Sequence, residues 1–169
     1  KQYGAKVPFM RSKENAYDYA STSDVINEVI NNYEKKGMLF DYACCVYPTA
    51  PFITPEKLKL AYNLLQQHQY NTVFPVVKYG YPIQRALSIK EDKISMLHPE
   101  NLLVRSQDLE QAYHDSGQFY WCNTEVFRRD NRLFSDNSGA IIIDEIEVQD
   151  IDNEMDWRIA ELKFKAYKK

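Results

Sequence analysis

Phe40-Asp41-Tyr42-Ala43-Cys44-Cys45-Val46-Tyr47, continued by Pro48-Thr49-Ala50-Pro51-Phe52-Ile53-Thr54-Pro55, is the stretch that decides the fold. From Phe40 to Tyr47 every residue except Asp41 is apolar or β-prone, the pattern of a buried strand. Pro48 and Pro51 close that strand sharply. Thr54 is a good N-cap and Pro55 an ideal first helical residue, after which Leu58, Ala61, Leu64 and Leu65 share one helix face. Strand, restricted loop and helix form a βα unit, the building block of α/β folds.

The same alternation extends outward. Upstream, Val25, Ile26, Val29, Ile30 and Tyr33 recur at helical spacing with Gly37 as a stop. Downstream, Thr72 to Val77 reads as a strand in which Pro75 removes a ladder donor and argues for an edge or a bulge. Lys78 to Arg105, with Tyr79, Tyr81, Pro82 and Pro99, reads as a lobe or hairpin excursion. Phe119 to Val126 and Ala140 to Val148 are further strand candidates. Asn153 to Tyr167 is a closing helix, with Trp157, Ala160, Leu162 and Phe164 among its apolar residues. The expected architecture is α/β, a mostly parallel sheet with helices on both faces.

At 169 residues, 44% hydrophobic and 14% aromatic, the chain fits one domain with a real core. A net charge of −3 with spread Lys and Arg excludes polymeric nucleic acid as the expected partner. No apolar run approaches a transmembrane span, and Lys1 to Ser12 lacks the apolar core of a signal peptide, so no membrane association is expected. Three cysteines, with Cys44 and Cys45 adjacent, form neither a disulfide framework nor a CxxC pair and suit the cytoplasm. The opening Lys1-Gln2-Tyr3-Gly4-Ala5-Lys6-Val7 reads as a last helical turn, a C′ glycine and the start of a strand, as in a chain joined in mid-fold.

Three constellations carry candidate chemistry. In Gln149-Asp150-Ile151-Asp152-Asn153, at a strand-to-helix junction, extended backbone points Asp150 and Asp152 one way and Ile151 the other. Two converging carboxylates repel unless a cation shares them, and a hard ion that also grips phosphate, Mg²⁺, suits them. The competing reading makes Asp152 or Asn153 a helix cap and Asp150 a solvated strand end. The second constellation is the Tyr47-Pro48-Thr49-Ala50-Pro51 turn, where Thr49 either presents its hydroxyl to a ligand or is purely structural. In the third, Arg105-Ser106-Gln107-Asp108-Leu109 and Asp115-Ser116-Gly117-Gln118-Phe119-Tyr120-Trp121 offer a guanidinium and amides to a sugar acid. Its aromatic residues are equally candidates for core or subunit interface. Arg85 is similar in kind, with a solvated surface role as its alternative. His68, His98 and His114 lack metal-ligand spacing, and no GxGxxG, P-loop or nucleophile elbow is present.

Taken in order, Tyr47 to Phe52, Arg105 to Leu109, Asp115 to Trp121 and Gln149 to Asp152 with Asp156-Trp157 resemble the CMP-sialic acid synthetase family, within it the pseudaminic acid cytidylyltransferases. The resemblance implies a nucleotide-diphosphosugar-transferase-like domain that joins CTP to a nonulosonic acid and releases pyrophosphate. It makes Asp150 and Asp152 the holders of Mg²⁺. It places Thr49 and Ala50 in the sugar pocket, with Gln107 and Gln118 in segments near it and Arg105 serving the neighbouring subunit's site; Arg85 stays a substrate-binding candidate from its residue type. It also implies a homodimer joined through the excursion around residues 80 to 120. Tyr47 and Ala50 favour pseudaminate over neuraminate. The family's Ala-Arg-x-Gly-Ser-Lys phosphate loop has no counterpart in these residues, so the expectation is that this stretch alone does not catalyse the reaction. A degenerate paralogue serving as a dimerisation module and a DxD glycosyltransferase are the alternatives.

Overall fold

The computed structural model describes residues 2–17 and 19–167. Lys1, the first residue of the expected helix end, lies outside them. Gly4 has the positive φ of +90° that a C′ glycine supplies, but Ala5 to Val7 join no ladder, so the expected strand does not form there. In chain order the elements begin with α1 (Thr22–Glu34), β1 (Tyr42–Val46), α2 (Pro55–His68) and β2 (Thr72–Lys78). There follow β3 (Leu87–Lys90), β4 (Lys93–Met96), β5 (Tyr113–Asp115), β6 (Phe119–Asn123), α3 (Thr124–Asp130), β7 (Ser138–Ile142) and α4 (Glu154–Tyr167). None of the described helices is long and apolar enough to cross a membrane. The chain divides into two compact units, one of residues 1–47, 54–74 and 119–140 and one of residues 48–53, 75–118 and 141–169.

In the first unit β6 lies between β1 and the start of β2. Its residues pair Tyr42 with Asn123 through Val46 with Phe119 on one side, and Thr72 with Cys122 and Val73 with Trp121 on the other, all antiparallel. β1 and β2 therefore run in the same direction, as a βα unit requires, but an antiparallel strand is inserted between them. This corrects the expectation of a mostly parallel sheet: the four ladders of described register are antiparallel. The inserted strand comes from far downstream, where local sequence pattern carries no information about its neighbours.

Helices cover both faces of this ladder, as expected. Alternation on β6 sends Trp121 towards α2, where its indole N–H donates to the Leu58 carbonyl at 3.0 Å and its ring meets Tyr62 at 4.8 Å. The next residue, Cys122, faces the other way into a cluster with Ile26 of α1 and Phe127 of α3. α2 starts as read, with Thr54 Oγ1 accepting from Lys57 N at 3.3 Å and Pro55 first in the helix. Two strands end earlier than their apolar runs suggest. Asn123 Oδ1 accepts from Val126 N at 3.1 Å and caps α3, which cuts the run to Val126 short. β7 stops at Ile142, and a 3-10 turn occupies Glu145–Glu147.

The second unit contains the expected hairpin. Leu87 pairs with Met96 and Lys90 with Lys93, leaving Glu91 and Asp92 as a two-residue turn with φ of +48° and +61°. The end of β2 pairs antiparallel with β5, Val76 opposite Asp115 and Lys78 opposite Tyr113. Between Val73 and Val76 β2 has two residues, while five separate their partners Trp121 and Asp115, so three residues are extra on the partner strand. Ser116, Gly117 and Gln118 form this bulge. Pro75 is fully buried opposite it, its carbonyl accepting from Ser116 N at 3.1 Å. Of the two readings of Pro75 the bulge holds, because the missing donor falls where the ladder is already interrupted. The loop after β1 is pinned by Phe52, 2% exposed, against the rings of Phe164 and Tyr167 on α4 at 6.1 and 6.4 Å.

Candidate active site

All eight candidate site residues fall in the second unit. Asp150 and Asp152 are exposed, and Ile151 between them is half-buried. Ile151 enters an apolar hollow of about 180 Å³ with Pro51, Trp157, Ala160 and Phe164. The burial follows the alternation read from sequence: the apolar side chain is half-buried and the two acids are exposed. Capping of α4 falls to Asn153, whose Oδ1 accepts from Met155 N at 2.9 Å and Asp156 N at 3.1 Å. Asp156 Oδ2 reciprocates, accepting from Asn153 N at 3.1 Å and Asp152 N at 3.0 Å. The Asp152 carboxylate therefore has no capping duty.

The bulge meets this segment. Gly117, at φ +64°, lies so close to Asp150 that a Cβ there would stand 3.7 Å from Asp150 Oδ2 and 3.8 Å from its Cγ. The turn is closed by Gly117 N donating to Asp115 Oδ1 at 2.8 Å. Gln118, 2% exposed, donates from Nε2 to the Glu147 carbonyl at 2.6 Å, three residues before Asp150. Gln118 Oε1 and Ser116 Oγ are buried without a hydrogen-bond partner. Gln118 is thus a buried side chain that grips the segment leading to Asp150. Gly117 was legible as a glycine in a conspicuous motif, but no local signal reveals that Asp150 lies beside it.

A second polar cluster gathers three more candidates. Arg85 Nη1 donates to Ser106 Oγ at 3.2 Å, and Arg105 Nε to Asp108 Oδ2 at 3.1 Å. With its amide oxygen turned to Arg105, Gln107 accepts from Nη2 at 2.8 Å. Gln107 also lines a hollow of about 300 Å³ with Lys78, Tyr79 and Glu110. Both guanidinium groups are exposed and so available to an anion. Thr49 is exposed in the turn after β1, and Ala50 is half-buried beside it.

Two water-facing carboxylates are oxygen donors suited to a hard cation. Among the described residues no group of three or more His, Cys, Asp or Glu side chains is placed to hold a metal. That donor set fits an ion that keeps water and phosphate oxygens in most of its shell, as Mg²⁺ does.

A mixed α/β fold, with a pair of exposed acids between its last strand and closing helix, is consistent with a nucleotidyltransferase-like protein. The chain is 34% identical to a pseudaminic acid cytidylyltransferase of Campylobacter jejuni, over 98% of its own length and 72% of the relative's. It is 32% identical, over its whole length and 32% of the relative, to a Helicobacter pylori protein whose name joins pseudaminic acid cytidylyltransferase to a UDP-sugar hydrolase. A CMP-N,N'-diacetyllegionaminic acid synthase of Legionella pneumophila is 29% identical over 95% of the chain and 69% of the relative. No protein-family model matches. The chain belongs to the pseudaminic acid cytidylyltransferase family.

Proposed function

We propose that the protein joins CTP to pseudaminic acid, a nonulosonic acid, giving the CMP-sugar and pyrophosphate, with Asp150 and Asp152 holding Mg²⁺. The observation that carries this reading is the junction before α4: Ile151 is half-buried beside an apolar hollow and Asn153 takes the cap, which leaves Asp150 and Asp152 both exposed to water. When bound there, Mg²⁺ would neutralise phosphate charge and favour departure of pyrophosphate. The Thr49 hydroxyl, in a turn restricted by Pro48 and Pro51, would orient the sugar. Arg85 and Arg105 would meet its carboxylate, held ready by Ser106, Asp108 and Gln107. The sugar's anomeric hydroxyl would then attack the α-phosphorus of CTP, forming a new P–O bond as pyrophosphate leaves.

The working form is a cytoplasmic homodimer. Support comes from three free thiols and from the exposed apolar side chains of the β3–β4 hairpin. Nothing in the fold or the relatives speaks for an inactive piece, a degenerate paralogue or a glycosyltransferase. The test is CMP-sugar formation from CTP and pseudaminic acid with Mg²⁺. Asp150→Asn and Asp152→Asn should each lose roughly a hundredfold or more in rate, the several kcal/mol a catalytic metal supplies. Wild-type rates in both variants would overturn the metal assignment, and turnover of UDP-sugars without CTP consumption would overturn the reaction.

A further inference from the structure

We infer that Gln118 and Gly117 are the positioning residues that fix the Asp150 carboxylate for its cation, Gln118 acting through the Glu147 carbonyl and Gly117 by leaving the space beside the carboxylate free of a side chain; this rests on the metal assignment above.

Asp150 follows a 3-10 turn at Glu145–Glu147 and belongs to no strand or helix, so regular hydrogen bonding does not hold it. Two neighbours bear on it from outside. The first is the Gln118 amide, buried to 2% exposure, whose 2.6 Å bond grips the backbone three residues upstream. The second is Gly117, which lies beside the carboxylate: a Cβ there would be in ordinary van der Waals contact with Asp150 Oδ2 at 3.7 Å, so a longer side chain would compete for the carboxylate's space. Both come from the three-residue bulge opposite Pro75, a device that takes chain out of a ladder and aims it elsewhere. The bulge is costly in its own terms. Gly117 occupies the left-handed region, and Ser116 Oγ and Gln118 Oε1 are buried without a partner. Simple sheet continuation would avoid both unpaired polar atoms and the need for a glycine. Lys163 adds a third hold on the same segment, donating from Nζ to the Val148 carbonyl at 2.6 Å and to the Glu145 carbonyl at 3.0 Å. Backbone held at 145, 147 and 148 leaves Asp150 few directions to move, and a cation bound through only two protein carboxylates depends on that orientation.

Gln118→Met keeps length and volume but removes the donor. Gly117→Asn tolerates a positive φ and places a side chain against Asp150, which separates contact from backbone strain. Mn²⁺ titration followed by electron paramagnetic resonance, with CTP present, reads cation affinity without turnover; thermal unfolding and the KM for the sugar acid are measured alongside. Both variants should bind Mn²⁺ roughly tenfold more weakly, the usual size of an outer-shell effect, with less than a twofold change in sugar KM. Gln118→Glu, which keeps an acceptor but no amide donor, should resemble Gln118→Met, whereas Lys163→Met should weaken Mn²⁺ less. Variants that fold and bind Mn²⁺ as the wild type does, or that raise the sugar KM while leaving Mn²⁺ unchanged, would overturn the assignment. Asp150→Asn is the control that separates the two layers. Unchanged Mn²⁺ binding in that variant removes the metal assignment and this inference with it, while weakened binding there with intact binding in both bulge variants removes the inference alone.

Discussion

Cys44 and Cys122 have their thiols pushed up to about 12, in each case chiefly by burial, with the neighbouring Cys45 adding to the shift at Cys44. Cys45 is raised for the same reason. Because the thiolate is the reactive form, these side chains are packing residues and not nucleophiles. A disulfide-exchange reagent at pH 8 should label the folded protein slowly and all three thiols rapidly once denaturant is added. The sign of the pH effect follows. The folded Cys44 and Cys122 thiols keep their protons to about 12 while unfolded ones release them near the ordinary 9.0, so stability is intact below pH 9 and falls as pH rises from there towards 12. Chemical denaturation at pH 8 and pH 10.5 should show the loss, reduced in Cys122→Ala relative to its own pH 8 value. Close packing sets a second expectation at this scale: a Cβ on Gly139 would lie 2.4 Å from the Tyr70 ring, which itself stacks on His68. Gly139→Ala should cost about 1–3 kcal/mol of unfolding free energy, the usual range for overpacking.

At the scale of elements, the junction before α4 separates a capping role from a ligand role. Asn153→Ala should lower unfolding free energy by about 1 kcal/mol, since two amides lose their acceptor. Asp152→Ala should leave the unfolding midpoint nearly unchanged while reducing Mn²⁺ binding. α1 carries a second test. Glu28 gathers Ser12 and Asn15 through bonds of 2.6 to 3.0 Å, and the Asn15 amide first, then the Ser12 N–H, holds its carboxyl below the usual range. That tether is complete above pH 4.5 and is lost as pH falls through the lowered value. In Glu28→Gln, amide exchange at Ser12 should be faster at pH 7 than in the wild type. The elements themselves were largely legible. α1, β1, α2, β2 and α4 stand where spacing, Thr54-Pro55 and Asn153 put them, because caps and periodicity are local. Three things were not. Strand direction was hidden because β6 pairs with β1 and β2 across long sequence separations. α3 was hidden because its cap, Asn123, sits inside an apolar run that reads as strand. The bulge was hidden because Ser116 to Gln118 are ejected only in relation to Pro75. The same division governs the site: the Asp150-Ile151-Asp152 alternation is local and was read, whereas the bond from Gln118 to the Glu147 carbonyl and the placing of Gly117 beside Asp150 are nonlocal and were not.

For the whole molecule, the open question is what covers the β3–β4 hairpin. It forms a sheet of only two strands among the described residues, and such a hairpin is marginal in water without a packing partner. Ile89 and Ile94 are directly opposed on it and 70% and 67% exposed, with Leu87 and Leu97 exposed close by. Lys90, Glu91, Asp92 and Lys93 keep the tip solvated with mixed charge, so the apolar part of the hairpin sits behind a polar rim, as at a protein interface. A second copy of the chain meets the requirement by symmetry, since a two-fold axis places the same apolar pair on both sides. Light scattering behind a sizing column should then give twice the 19.9 kDa of one chain. Ile89→Lys with Ile94→Lys should give a monomer with unchanged far-ultraviolet dichroism, because neither side chain contributes to a core. A monomeric wild type at tens of micromolar, or a double variant that stays dimeric, would remove the hairpin from the interface. If sugar recognition draws on the partner, the monomeric variant should also raise the sugar KM while leaving Mn²⁺ affinity intact. That result would separate the cluster around Arg105 from the Asp150 segment.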